Sequence, residues 1–195
     1  MRGKFFVLEG PDGSGTTLHA SLLAKKLTKI GKDVLLTMEP SESDLGRFIR
    51  KELKETPPMP PDALQLLFCA DRAKHIAHVI LPALKKGMIV VSDRYVPSTI
   101  AYGSALGLDE KWLINLNKKF IQPDCTVFLL PPLSISLQRI GKRTETDLLE
   151  KGSLQKKVHA IYRRISPSYA HGVIDSSGTQ EQTADRIWNI IASSL

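Results

Sequence analysis

Gly10-Pro11-Asp12-Gly13-Ser14-Gly15-Thr16-Thr17 follows an apolar run, Phe5 to Leu8, and leads into a helical pattern, an order of residues suited to holding a phosphate. Glycines at the spacing of a Gly-x-x-x-x-Gly-Lys-Ser/Thr loop let backbone N–H groups turn inward around phosphate oxygens, and the helix that follows adds the positive end of its dipole. Gly10 and Gly15 hold that spacing, Gly13 and Ser14 fill the bend, and Thr17 supplies a hydroxyl. The lysine that would reach the β- and γ-phosphates is absent, because its position is Thr16. The cradle is kept and its main point charge is lost.

Three further clusters could do chemistry. Phe68, Asp71, Arg72 and His75 share a helical spacing, so Phe68 and Arg72 fall one turn apart and can hold a base by stacking and hydrogen bonding. The same residues fit a plainer reading, with Phe68 in the core and Asp71 and Arg72 as a surface ion pair. Ser92-Asp93-Arg94-Tyr95 ends an apolar run. A carboxylate at such a strand tip can order Mg²⁺ through water, with Arg94 as a bidentate phosphate clamp, or Asp93 can simply cap the turn. Between Gln138 and Lys157 lie Arg139, Lys142, Arg143, Lys151, Lys156 and Lys157, with Gly141 and Gly152 as hinge candidates. This run reads either as a lid bringing cations to a phosphate or as ordinary surface charge.

The elements that must position these residues alternate between strand and helix, which implies a parallel sheet covered on both faces. Strands are expected at Phe5 to Leu8, Val34 to Met38, Met88 to Ser92, Thr126 to Leu130 and Val173 to Asp175. After the glycine loop, Leu18, Leu22, Leu23, Leu27 and Ile30 form one helical face, and Gly31 closes that helix. Pro57, Pro58, Pro60 and Pro61 stiffen the entry to the next long helix, whose start is expected at a capping box of Asp62 with Gln65. The last helix, near Thr183 to Ser193, turns Ile187, Trp188 and Ile191 inward. Five strands point to a doubly wound α/β domain, with its ligands beyond the carboxyl ends of the strands.

A chain of 195 residues suits one domain with a full core. Neither a membrane span nor a signal peptide is supported, so a cytoplasmic protein without a membrane partner is expected. Cys69 and Cys125 lack metal-ligand spacing and read as small core residues in a reducing compartment, with no disulfide and no zinc. The formal charge of +7 suits an anionic partner, either free nucleotides or nucleic acid. The basic residues are scattered and several sit beside aspartates, which argues against nucleic acid.

Taken in order, five motifs resemble those of thymidylate kinases over nearly the whole chain. They are the glycine loop with Asp12, Glu39-Pro40 after the second strand, Phe68-Cys69-Ala70-Asp71-Arg72 with His75, Asp93-Arg94-Tyr95 with Ser98, Ala101 and Tyr102, and Pro123-Asp124 with Thr126. The resemblance implies a P-loop NTPase-like doubly wound five-stranded parallel sheet, one nucleoside monophosphate kinase domain over 1–195 with a lid at about 141–157. It implies a homodimer, ATP as donor, dTMP as acceptor and Mg²⁺. Gly10, Gly13, Ser14, Gly15, Thr16, Thr17 and Arg139 would hold the ATP phosphates, and Thr17, Asp93 and Glu39 the metal, the carboxylates through water. Asp12 would touch the acceptor sugar or help order Mg²⁺, Phe68 would stack on thymine, and Arg72 would bond its carbonyl edge. Arg94 would bridge the acceptor phosphate and the transferred group. Ser98, Thr99 and Tyr102 would line the nucleoside pocket, Tyr102 occupying the space of a ribose 2′-hydroxyl. With no base at Gly13 or Ser14, the chain is similar to the subgroup that sends its catalytic arginine from the lid, Arg143 first and Arg139 second.

The chain departs from that pattern at Thr16, at Gly103 where many such kinases carry glutamine, at Thr99 where asparagine or another small polar residue is common, and at Leu129-Leu130-Pro131-Pro132, which lacks the usual acidic residue. An active deoxynucleoside monophosphate kinase stands against two alternatives. One is a nucleotide-binding protein of the same fold with reduced or lost transfer, or with another pyrimidine acceptor; the other is a basic nucleic-acid-binding module.

Overall fold

The fold was described from a computed structural model covering residues 3–142, 147–150 and 152–195. Five short strands, β1 (Phe5–Glu9), β2 (Val34–Met38), β3 (Ile89–Asp93), β4 (Cys125–Leu129) and β5 (Gly172–Ile174), form one sheet in the order β2-β3-β1-β4-β5. Every neighbouring pair is parallel. Such strands are covered on both faces, which is why β1, β3 and β4 are buried at every position and read as continuous apolar runs. Complete burial of Phe5, Phe6, Val7 and Leu8 stabilises the centre by roughly 1.5–3 kcal/mol per side chain.

Helices α1 (Thr16–Lys29), α2 (Asp44–Glu52), α3 (Pro61–His75), α4 (Leu81–Lys85), α5 (Val96–Ala105), α6 (Glu110–Asn117), α7 (Leu133–Ile140), α8 (Gly152–Tyr169) and α9 (Gln180–Ile191) complete the described elements, with a π-helical turn at Ile76–Ile80 joining α3 to α4 and 3₁₀ turns at Leu148–Glu150 and Ala192–Ser194. One core cluster joins Phe5, Val7 and Val90 to Ile100, Tyr102 and Tyr162, and another joins Phe6, Leu8 and Val91 to Leu23, Leu27 and Ile187. Strand β1 pairs with β3 on one side and β4 on the other. The glycine loop therefore leaves the sheet where the strand order reverses, the place where open α/β sheets bind ligands.

Expected strand bounds move by about one residue, and the move matters at β3, which ends on Asp93 itself. On α1 the buried face is Ala20, Leu23, Ala24 and Leu27, while Leu18 and Ile30 are exposed. Small alanines carry part of the contact that a count of leucines misses. Gly31 does close α1, at φ +80, with Lys32 N–H donating to Leu27 O. The expected capping box of Asp62 and Gln65 is absent: α3 begins after Pro60 with Pro61 in its first turn, and Asp62 only accepts from Ala63 N–H. A capping box does form at α9, between Thr179 and Gln182. Asp124, from the Pro123-Asp124 motif, ties the sheet by accepting from Phe5 N–H at 2.8 Å. No described helix is long and apolar enough to cross a membrane.

Candidate active site

The loop from Gly10 to Gly15 turns through two left-handed glycines, Gly13 at φ +76 and Gly15 at φ +92. A Cβ on Gly13 would also stand 2.4 Å from Ser136 O on α7, so only glycine lets the loop pass that helix. Thr17 Oγ1 donates to Asp93 Oδ2 at 2.5 Å, which brings the loop hydroxyl to the tip of β3. Asp93 Oδ1 is buried without a hydrogen-bond partner among the described residues. Two hard oxygen donors side by side, one uncommitted, fit Mg²⁺, which keeps several waters and takes one or two carboxylates plus phosphate oxygens. Glu39, the second metal carboxylate expected from the sequence, is spent elsewhere: its oxygens accept from Arg72 Nε at 2.7 Å and face His75 Nδ1 at 3.2 Å. Its geometry makes Glu39 an anchor for Arg72.

Beside the loop opens a cleft of about 120 Å³. Its walls include Asp12, Phe68, Arg72, Arg94, Ser98, Thr99 and Tyr102, so the acceptor residues expected from the sequence converge on one place. Arg94 is the only described non-glycine residue at positive φ, +72. Strained backbone of this kind costs of order 1–3 kcal/mol and persists where surrounding contacts fix it. Here Arg94 Nη1 donates to Gly10 O at 2.7 Å and Nη2 to Asp12 Oδ1 at 2.7 Å, binding the guanidinium to the glycine loop. Burial opposes its charge, but Tyr102, Asp12, Tyr162 and Asp93 outweigh burial and hold Arg94 cationic.

Asp12 is equally committed. Its Oδ2 accepts from Tyr102 Oη at 2.6 Å and from Gln155 Nε2 at 2.7 Å. Behind it Glu9, fully buried, accepts from Tyr95 N–H, Ser98 Oγ and Tyr162 Oη. Burial raises the Glu9 carboxyl above the usual range, while Arg94 and these hydrogen bonds pull it back. Burial also pushes the Tyr102 and Tyr162 phenols far up, so both stay protonated and act as donors.

The base-sized end is built by α3 and α5. Arg72 is buried, not a surface partner of Asp71: Nη2 donates to Tyr95 O at 3.1 Å, Nη1 donates to Asn117, and the guanidinium lies over the Tyr95 and Phe120 rings. Each terminal nitrogen keeps a second N–H. Asp71 instead pins the segment after β2, accepting from Ser41 N–H and the Ser41 and Ser43 hydroxyls. Phe68 is half-buried on the cleft wall.

Arg143, first choice for a lid cation, lies outside the described residues, as does Lys151. The described part of the expected lid rests on the cleft: Asp147 and Leu149 line it, and Gln155 joins Leu149 O to Asp12. Lys142, Lys156 and Lys157 are exposed, as the surface-charge reading has them. Arg139 differs. Its guanidinium straps the glycine loop, donating to Gly13 O at 3.2 Å and to Ser176 O at 2.8 Å.

Glu9, Asn117, Gln155 and Tyr162 escaped the sequence reading, and Gln65 entered it only as the capping partner of Asp62. Only Glu9, an acid ending an apolar run, carried a local signal; Gln155 meets Asp12 across 143 residues.

A sequence model described as thymidylate kinase matches residues 8–187. The chain is similar to the probable thymidylate kinase of Pyrococcus horikoshii, 44% identical over 177 residues covering 87% of this chain and 85% of that one. It is 38% identical to the probable thymidylate kinase of Pyrococcus abyssi, over 100% of this chain and 98% of that one. With the thymidylate kinase of Brachyspira hyodysenteriae it shares 37% identity over 100% and 96%.

Proposed function

Since the chain belongs to the thymidylate kinase family, we propose that it transfers the γ-phosphoryl group of ATP to dTMP, giving ADP and dTDP. The observation that carries this reading is Arg94, tied at once to the glycine loop and to the wall of the cleft where the acceptor residues converge.

The acceptor phosphate needs no base, because its second ionisation lies near pH 6 and its oxygens are already nucleophilic at neutral pH. That suits a site whose acceptor-side carboxylates, Asp12 and Glu9, are otherwise engaged. Asp12 is bound by Arg94, Tyr102 and Gln155, and Glu9 is sealed beneath Ser98 and Tyr162. The remaining task is positioning and charge neutralisation. Arg94 aligns the acceptor phosphate with the transferred group, Phe68 stacks on thymine, and Arg72 bonds its carbonyl edge. Ser98, Thr99 and Tyr102 shape the nucleoside wall, and Tyr102 fills the space that a 2′-hydroxyl would need. Backbone N–H groups between Gly10 and Thr17 cradle the donor phosphates.

Thr17 and Asp93 would hold Mg²⁺, which neutralises charge on β- and γ-phosphate oxygens. Arg139, with Arg143 from the lid, supplies the positive charge that Thr16 cannot. The reading includes a cytoplasmic location, supported by two free thiols, and a homodimer, supported by exposed Phe48 and Leu66 on the adjoining helices α2 and α3.

A coupled assay for ADP with ATP, Mg²⁺ and each nucleoside monophosphate in turn tests the proposal. Turnover with dTMP well above the other acceptors is expected. No transfer to any monophosphate would favour a nucleotide-binding protein, and a preferred acceptor other than dTMP would correct the substrate.

A further inference from the structure

Gln65, Phe68 and Arg72 stand at i, i+3 and i+7 along α3, so one face of the helix presents them in a row, and all three line the cleft. Gln65 is fully buried, and neither its Nε2 nor its Oε1 has a hydrogen-bond partner among the described residues. Thr99 on α5, 3% exposed and also lining the cleft, has an unpartnered Oγ1. A buried amide without partners loses its water and gains nothing, whereas leucine would fill the same volume at no such cost. Room for it comes from Gly103, where a Cβ would stand 3.4 Å from Gln65 Cγ and 2.7 Å from a Leu113 methyl.

Arg72 and Gln65 offer different chemistry. The Arg72 guanidinium only donates, and Glu39, Asn117 and Tyr95 O fix its direction. A pyrimidine imide edge presents carbonyl acceptors flanking an N3–H donor. A donor-only partner can read a carbonyl but leaves N3–H unmatched. The primary amide of Gln65 supplies both an acceptor and a donor.

We propose that Gln65 is a specificity-determining residue for the acceptor, its amide accepting from the N3–H of an imide base and donating to a neighbouring carbonyl. This rests on the acceptor reading of the cleft. A cytosine edge, with an N3 acceptor and an amino group, sets its donor against the Arg72 donors, so the pair selects thymine or uracil over cytosine.

Gln65→Leu keeps the volume and removes the amide. Its KM for dTMP is expected to rise about tenfold, the scale of losing one or two buried hydrogen bonds, with kcat within about twofold and KM for ATP unchanged. The preference for dTMP over dCMP falls, and the rise in melting temperature on adding dTMP shrinks although the ligand-free variant melts no lower than wild type. Gln65→Met serves the same comparison should Gln65→Leu not fold. An unchanged KM and an unchanged dTMP-induced shift in these variants would make Gln65 a packing residue and overturn the inference. Should wild-type protein transfer nothing to dTMP yet gain melting temperature from it, with that gain lost in Gln65→Leu, the kinase reading fails and the base-reading role stands. dTMP that neither reacts nor stabilises overturns both.

Discussion

At the sugar-phosphate end of the acceptor cleft, Asp12, Arg94, Tyr102, Gln155, Glu9, Ser98 and Tyr162 join in a continuous hydrogen-bond network that leaves only Gln155 Oε1 unpartnered, whereas beside the glycine loop Ser14 Oγ, Ser136 Oγ, His19 Nδ1 and Asp93 Oδ1 are buried without partners, all among the described residues. Satisfied buried networks rigidify, and unpaired polar atoms raise the free energy until something binds them. The sugar-phosphate end of the acceptor cleft is thus preorganised by folding itself, while its base end, where Gln65 and Thr99 lack partners among the described residues, and the donor side are completed by what binds there. Loss of the loop lysine fits this division. A charge removed from the unfinished side can be supplied by a nearby strap or lid, while a residue removed from the finished side has no understudy.

The largest effect should come from the residue common to both sides. Arg94→Ala is expected to lower kcat/KM for dTMP by about a thousandfold or more in the coupled assay, the scale of a lost phosphoryl clamp; a loss under about tenfold would dissolve the contrast. On the donor side, Arg139→Ala or Arg143→Ala should cut kcat by roughly a hundredfold with the KM for dTMP little changed. The variant with the larger loss identifies the compensating cation, and two near-normal variants would show that neither supplies it.

Tyr102→Phe probes the finished side more gently. Without its hydroxyl, Asp12 loses one donor, and unfolding free energy should drop by about 1–3 kcal/mol, measurable by denaturant titration, with kcat/KM for dTMP down about tenfold. The smallest effect concerns His19, near the loop. Burial, and then the Arg139 charge, push its pKa below the usual 6.5. The unfolded chain then takes up the proton first, so the His19 contribution is complete above about pH 6.5 and is lost as pH falls through the lower folded value. His19→Asn should flatten that limb of the stability profile; an unchanged limb would assign the acid sensitivity to other groups.

What the sequence revealed, and what it hid, follows the same division. The central strands were legible because Phe5 to Leu8 and its counterparts in β3 and β4 are buried on both faces, and the glycine loop because its glycines meet steric demands that are local. Asp12, Phe68, Arg72, Arg94, Ser98, Thr99 and Tyr102 were legible as a set through motifs, and they line one cleft. The partners that finish the network were not. Gln155 reaches Asp12, and Glu39, Asn117 and Tyr95 O converge on Arg72, through chain closures that no periodicity encodes. Gln65 was misread as a cap because an acid three residues before a glutamine looks like one, although Pro60 and Pro61 already set the start of α3.

Single-turnover transfer from ATP to dTMP with Mg²⁺, compared between wild-type protein and Thr16→Lys, tests most directly whether an intact acceptor side and a cation from outside the loop suffice. The account predicts measurable wild-type transfer and a gain of no more than about fivefold from the restored lysine, since the charge is already supplied. A gain of about a hundredfold or more would contradict it and mark the donor cradle as crippled.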